Sequence, residues 1–245
     1  MRILGIIPAR YGSSRFPAKA LADIGGKTMV RRVYEQALKA SMITDVVVAT
    51  DHDDIYNEIT NHGGKAVMTR QDHESGTDRC FEALNKQEQQ YDYVINIQGD
   101  EPFIDPDQIN LIAQMLDGQT ELGTLIKAID SKEDLFNPNV VKVIFDKNQK
   151  AIYFSRSPLP HNRQHTSDQW LDQHRYFRHI GIYAYRTDIL EKITQLEVSS
   201  LEKAESLEQL RWIENGYSIK VAETEHDSIG IDTPEDLDKL QPFLK

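Results

Sequence analysis

Ile3-Leu4-Gly5-Ile6-Ile7-Pro8-Ala9-Arg10-Tyr11-Gly12-Ser13-Ser14-Arg15-Phe16-Pro17-Ala18-Lys19 begins as a short apolar run, meets a proline and continues into a loop of small residues. An apolar run of this length, bounded by turn residues, reads as a buried strand. The loop behind it carries Arg10, Arg15 and Lys19, and no acidic residue occurs between Pro8 and Ala22. A strand-to-loop junction offers backbone amides, and fixed cations beside them make a cradle for anions. Arginine adds a planar fork and lysine a point charge, a pairing suited to a triphosphate. An ordinary exposed basic loop would have the same composition, but its place directly behind a buried strand favours the anion site. Neither G-x-x-x-x-G-K-[ST] nor G-x-G-x-x-G is present.

Outward from this stretch, short apolar runs alternate with helical patterns. Thr28–Ala40 has Val30, Val33, Tyr34, Ala37 and Leu38 at helical spacing. Asp45–Thr50 is a β-branched strand, Asp53–His62 a short helix stopped by Gly63-Gly64, and Lys65–Thr69 a third strand. Gly76–Lys86 reads as a helix and Tyr93–Gln98 as a fourth strand. Asp105 then caps a helix with Pro106 at its first position and Gln108 closing a capping box. This alternation predicts an α/β fold: a Rossmann-like, mostly parallel sheet flanked by helices, with ligands at the carboxyl ends of the strands.

The second half is richer in β pattern. Val140–Asp146 and Ala151–Ser155 predict a hairpin across Lys147–Lys150. Residues 156–175 form a long polar loop containing Pro158 and Pro160, Tyr176–Arg186 a long strand, and 187–195 and 201–214 helices. A last helix starts at Thr233-Pro234. The expected organisation is one domain: 1–130 for the nucleotide-binding part, 131–225 for a smaller β-rich part, and 226–245 returning to the first.

Composition narrows the function. With 245 residues and 39% hydrophobic content the chain can bury a proper core. Its formal net charge of −11 argues against nonspecific nucleic-acid binding but permits a small anionic substrate in a local basic pocket. Cys80 is the single cysteine, so no internal disulfide and no cysteine-based metal site can form, and it reads as a core residue. No leader pattern and no bilayer-length apolar run is evident, which gives the cytoplasm as the expected location.

Several acids stand just past strand ends. In Gln98-Gly99-Asp100-Glu101-Pro102 the glycine permits close backbone approach, and Asp100 sits where a carboxylate would hold Mg²⁺. In Gly230-Ile231-Asp232-Thr233-Pro234-Glu235-Asp236, at a helix start and not a strand end, two residues compete for the cap. Thr233 fits best, with Asp236 completing the box and the Asp232 carboxylate left as a second magnesium ligand; the alternative is that Asp232 itself caps or complements the helix dipole. Asp51-His52-Asp53-Asp54 contains D-x-D, a pattern of nucleotide-sugar glycosyltransferases, but capping with first-turn acids is the better reading. Near Arg70, Ser75-Gly76-Thr77 could offer amides and hydroxyls to a nucleotide. His73 reads as a surface histidine or a general base. Arg156, Arg178, His179, Tyr183, Glu208 and Gln209 could bind an acidic sugar, yet by composition alone they read as scattered surface residues.

Taken together, IIPARYGSSRFPAKAL, VVVATDHDDI, MTRQDHESGTDR, VINIQGDEP, FNPNVVKV, YFSRSPLP, FRHIGIYAYR, LEQLRWIENG and GIDTPEDL resemble the CMP-Kdo synthetases (3-deoxy-manno-octulosonate cytidylyltransferases) in the family's order and over nearly the whole chain. The sialic-acid cytidylyltransferases are the nearest competitors. The resemblance implies Mg²⁺-dependent attack of the Kdo anomeric hydroxyl on the α-phosphate of CTP, with release of pyrophosphate, for lipopolysaccharide assembly. It also implies a homodimer, with a sugar-binding and dimerisation role for the β-rich part. It would give Arg10, Lys19 and Asp100 catalytic roles, and Asp100 and Asp232 the metal. Arg10, Ser13, Arg15, Lys19, Arg70, Ser75, Thr77 and Gln98 would hold the nucleotide, and Arg156, His179, Tyr183, Glu208 and Gln209 the sugar. Ala18 and Ala20 depart from the family's usual glycine and proline, and alanine at 18 is expected to exclude a positive φ there. The stretch 161–174 matches least. An amino-modified Kdo is an alternative substrate.

Overall fold

The computed structural model describes residues 1–12, 16–227 and 229–237. Strands β1 (Ile3–Ala9), β2 (Asp45–Thr50), β3 (Ala66–Met68) and β4 (Tyr93–Asn96) alternate with helices α1 (Met29–Ala37), α2 (Asp53–Asn61), α3 (Gly76–Asn85) and α4 (Pro106–Gln114). Then follow β5 (Leu122–Ala128), α5 (Lys132–Phe136), β6 (Lys142–Phe145), β7 (Ala151–Ser155), α6 (Trp170–Gln173), β8 (Phe177–Arg186), α7 (Thr187–Ile193), α8 (Ser200–Glu205), α9 (Gln209–Glu214) and β9 (Ile219–Glu223).

The sheet order is β3-β2-β1-β4-β8-β5-β9, with β6 and β7 attached as a hairpin beside β8. Strands β3, β2, β1 and β4 run parallel, β8 is antiparallel to β4 and β5, and β9 returns parallel to β5. The expected α/β architecture is therefore present. Alternation along β1 sends Ile3 and Ile7 to one face and Leu4 and Ile6 to the other, and all four are buried. Val30, Val33, Ile55, Ile59, Ile109 and Ile112 of α1, α2 and α4 cover the first face. The second is covered by Cys80 and Ala83 of α3 with Ile189, Leu190 and Trp212 of α7 and α9. Cys80 is a core residue as expected, and burial pushes its thiol pKa up.

The structure corrects several sequence expectations. Strands β5 and β9 have no counterpart among the predicted elements. The expected helix over 201–214 is two helices, broken where Ser206 adopts φ 53° and ψ 50°. The 156–175 loop is not without structure: it contains α6, whose Trp170 packs with Ile129, Leu135 and Tyr176 in a small satellite core. At α4, Asp105 caps through the Asp107 amide, while the Gln108 amide reaches the His226 carbonyl instead of closing a box. Past Thr233 only a 3-10 turn over 234–237 is seen, and the rest of that expected helix lies outside the described residues. Among the described residues no helix is long and apolar enough to cross a membrane.

Candidate functional site

The carboxyl ends of β1 and β4 and the start of α3 enclose a cleft of about 350 Å³, lined by Arg10, Lys19, Ser75, Arg79, Gln98, Asp100 and Asp232 among others. The basic loop enters it along a defined path. The Tyr11 amide donates to Asp51 Oδ1 at 3.0 Å, the Tyr11 carbonyl accepts from the Ala18 amide at 3.2 Å, and the Tyr11 ring stacks on His52 at 3.8 Å. Ser13 and Arg15 lie outside the described residues. Ala18 has φ 53° and ψ 29°, contrary to the expectation that alanine excludes this region. A single left-handed alanine costs only about 1–2 kcal/mol. Hydrogen bonds from the Ala18 amide to Tyr11 and from the Leu21 amide to the Ala18 carbonyl oppose that cost. The turn launches a short 3-10 helix whose first residue is Lys19.

Lys19 faces the acids. Its Nζ donates to Asp100 Oδ2 at 2.8 Å and to Asp232 Oδ1 at 3.2 Å. Asp100 follows Gly99, where a Cβ would stand 2.6 Å from the Pro8 carbonyl oxygen, so only glycine lets β4 run this close to β1. The Ile231 amide donates to the Asp100 carbonyl at 2.9 Å, which brings Asp232 alongside. Asp236 accepts from the Asp232 and Thr233 amides at 3.0 and 2.9 Å, so it caps this turn and the Asp232 carboxylate is left to meet Lys19. Two carboxylates thus converge on the Lys19 ammonium. This is a hard-oxygen donor set that fits Mg²⁺, with the ammonium standing in for a cation.

The opposite wall is the start of α3. Ser75 caps it, with Oγ accepting the Asp78 amide at 3.1 Å. Gln98 is fixed by its side-chain amide donating to the Gly181 carbonyl at 2.7 Å. Thr77 is buried behind the wall and donates to Glu208 Oε2 at 2.9 Å. Arg70 is not brought to the cleft lining: its guanidinium is held by its near neighbour Asp72 at 2.8 and 2.5 Å. His73 is mostly buried and hydrogen-bonded to Glu82, not the surface histidine its sequence context predicts. The D-x-D pair is split. Asp51 meets Arg79, while Asp53 is a first-turn acid of α2, whose cap is His52.

The second-half candidates are more buried than a surface reading predicts. Arg156 donates to the carbonyls of Glu205, Pro138 and Ser206 at 2.7, 3.0 and 3.4 Å, bracing the break between α8 and α9. His179 Nε2 lies 2.9 Å from Thr124 Oγ1, and burial lowers its pKa to about 3, so the ring is neutral. Thr124 Oγ1 also lies 2.8 Å from the Ile182 carbonyl, which takes its one hydrogen and makes His179 Nε2 the donor. Tyr183 is buried, and its hydroxyl has no hydrogen-bond partner among the described residues. Glu208 is pushed above the usual carboxylate range by burial, against the Thr77 hydrogen bond that lowers it. Gln209 is buried at the first turn of α9.

Arg79 escapes the sequence reading. It shares a helix face with the buried Ala83, and a charge on such a face needs a partner. Asp51, at the end of β2, was the signal for one. Away from the cleft, Asp105, Asp107 and His226 form a second group of possible ligands, in which His226 Nδ1 lies 2.9 Å from Asp105 Oδ2.

A mixed α/β sheet with cations and carboxylates together in a cleft at its strand ends is a site for an anionic ligand. Residues 4–221 match the cytidylyltransferase family model. The chain is 56% identical to the 3-deoxy-manno-octulosonate cytidylyltransferase of Cytophaga hutchinsonii, over 96% of this chain and 94% of that one. It is 53% identical to that of Parabacteroides distasonis, over 100% and 98%. Among solved structures, a CMP:2-keto-3-deoxy-manno-octonic acid synthetase complexed with CTP superposes with a TM-score of 0.92 at 44% identity, covering 100% of this chain and 98% of that one. The 4-diphosphocytidyl-2C-methyl-D-erythritol synthase of Anaerococcus prevotii shares the fold, with a TM-score of 0.65 at 15% identity and coverage of 99% and 98%. The chain belongs to the cytidylyltransferase family, among its 3-deoxy-manno-octulosonate cytidylyltransferases.

Proposed function

We propose that the chain transfers CMP from CTP to the anomeric hydroxyl of Kdo, giving CMP-Kdo and pyrophosphate for lipopolysaccharide assembly. The observation that carries this reading is the meeting of Lys19 with Asp100 and Asp232 in one cleft beside the basic loop. The sugar oxygen bonds to the α-phosphorus, the bond to the bridging β-oxygen breaks, and the hydroxyl proton passes to water. Such a transfer needs positioning and charge neutralisation rather than a protein nucleophile.

Arg10 and Lys19, with Arg15 and Ser13, hold the triphosphate and offset charge on the leaving group. Ser75 and Gln98 place the cytidine, with Thr77 behind them. Asp100 and Asp232 would hold Mg²⁺, which when bound supplies positive charge next to the phosphates. On the sugar side, the neutral His179 gives its one N–H to Thr124 and keeps Nδ1 as an acceptor, the Tyr183 hydroxyl has no hydrogen-bond partner among the described residues, and Glu208 and Gln209 sit next to each other at the start of α9. Arg156 positions that start through the carbonyls it braces. A homodimer formed through the β6–β7 hairpin and its surroundings, working in the cytoplasm, belongs to the same reading.

Pyrophosphate release from CTP, compared between Kdo and a sialic acid, tests the proposal. Release with Kdo supports it, and release with the sialic acid alone overturns it. A glycosyltransferase using Asp51 and Asp53 is disfavoured, because Asp51 is committed to Arg79 and Tyr11.

A further inference from the structure

The D-x-D acid Asp51 and the buried Arg79 are taken up by neither the metal nor the sugar reading. Arg79 is 3% exposed and ties together the ends of two strands. Its Nη1 donates to Thr69 Oγ1 at 2.5 Å and to the Arg70 carbonyl at 3.1 Å, and its Nη2 to Asp51 Oδ2 at 3.1 Å. The other oxygen of Asp51 accepts the Tyr11 amide at 3.0 Å. Tyr11 passes the constraint on, because its carbonyl accepts the Ala18 amide and Ala18 directly precedes Lys19. A continuous chain of polar contacts therefore runs from α3 through Asp51 and the neck of the basic loop to the lysine that meets Asp100.

We propose that Asp51 and Arg79 are positioning residues that fix the neck of the basic loop, so that the loop grips the phosphates of the nucleotide in register with Lys19. The inference rests on the nucleotide reading of the cleft. The Asp51–Arg79 pair is nearly buried, so its desolvation cost has to be offset by the contacts that each partner makes. A carboxylate with one oxygen on a guanidinium and the other on an amide holds both partners in fixed geometry, which an exposed pair would not. Asparagine cannot replace it, because its single side-chain oxygen serves either Tyr11 or Arg79 and turns an NH₂ toward the other.

The test uses the full-length protein and Asp51→Asn, with Arg79→Lys as the milder second variant. Without nucleotide, amide exchange at Tyr11 is expected to quicken at least about tenfold in Asp51→Asn, the loss of one charge-assisted hydrogen bond. Calorimetry is expected to show CTP bound about tenfold more weakly, with cytidine changed less than about twofold. In turnover the KM for CTP rises more than kcat falls, and Arg79→Lys is intermediate. Unchanged exchange overturns the proposal, and so does equal weakening of CTP and cytidine, which would mark the pair as general scaffold. Wild-type protein that binds no CTP overturns the nucleotide reading and this inference with it, whereas normal CTP binding by Asp51→Asn overturns this inference alone.

Discussion

Lys19 Nζ sits 2.8 Å from Asp100 Oδ2, joining the loop after β1 to the loop after β4 across 81 positions of chain. Asp232 arrives from the far end of the sequence to share the same ammonium at 3.2 Å. Asp100→Asn and Asp232→Asn are each expected to lower kcat by about 10²–10³, the scale of losing one preorganised charge contact in the reacting centre. Circular dichroism and Tm should stay near wild type. Near-normal turnover in either variant removes that residue from the proposed metal site.

Metal removal gives an independent reading of the same pair. Chelation is expected to abolish pyrophosphate release, and added Mg²⁺ to restore it. The Asp232→Asn protein should need more Mg²⁺ for half-maximal rate. An unchanged Mg²⁺ titration in that variant would contradict the assignment.

Gly99→Ala tests the close approach of β4 to β1. The new Cβ would meet the Pro8 carbonyl at 2.6 Å, and neither backbone can yield cheaply. The expected cost is about 1–3 kcal/mol, seen as a fall of several degrees in Tm, together with slower turnover because Asp100 moves. Thermal melts and steady-state rates check it, and wild-type values in both would contradict the packing argument.

Glu82 is pushed up by burial but held down more strongly by Lys86, the Arg70 amide and His73, to a pKa of about 2. A lowered carboxyl pKa stabilises the fold above the ordinary value of 4.5, and that contribution is lost as pH falls toward 2. Glu82→Gln should therefore lower Tm at pH 7, with the gap closing below pH 4.5. A gap independent of pH would point to packing instead.

Glu208 has the opposite sign. Its raised pKa means a contribution present below 4.5 and lost as pH rises through the folded value. Glu208→Gln is expected to melt higher than wild type at pH 8, with the difference shrinking in acid. Its KM for Kdo should rise about tenfold if the carboxylate accepts a sugar hydroxyl. Higher stability with an unchanged KM would make Glu208 a structural acid only.

The first half of the fold was legible because each buried strand and amphipathic helix carries its own periodicity, as β1, β2 and α1 do. β5 was missed because Gly123 and Thr124 interrupt its apolar run, and both are read correctly only once Met115 and His179 are seen beside them. The break at Ser206 depends on carbonyls captured by Arg156, fifty residues away, and no local signal reports that. In the site, Lys19 could be picked out as a cation of the loop behind β1, Asp100 as a carboxylate just past β4 and Asp232 as a spare carboxylate beside a helix cap, whereas Arg79 was hidden because its partner Asp51 had a sufficient local reading as a helix-start acid. The αL alanine at 18 shows the same limit, since the hydrogen bonds that hold it come from Tyr11 and Leu21.

The most direct test of the central claim follows the α-phosphorus. With α-³²P-labelled CTP, Kdo and Mg²⁺, the account predicts that the label moves onto the sugar as CMP-Kdo, with one pyrophosphate released per label transferred. Label appearing as free CMP or CDP without a labelled sugar, or no Kdo-dependent turnover, would contradict it.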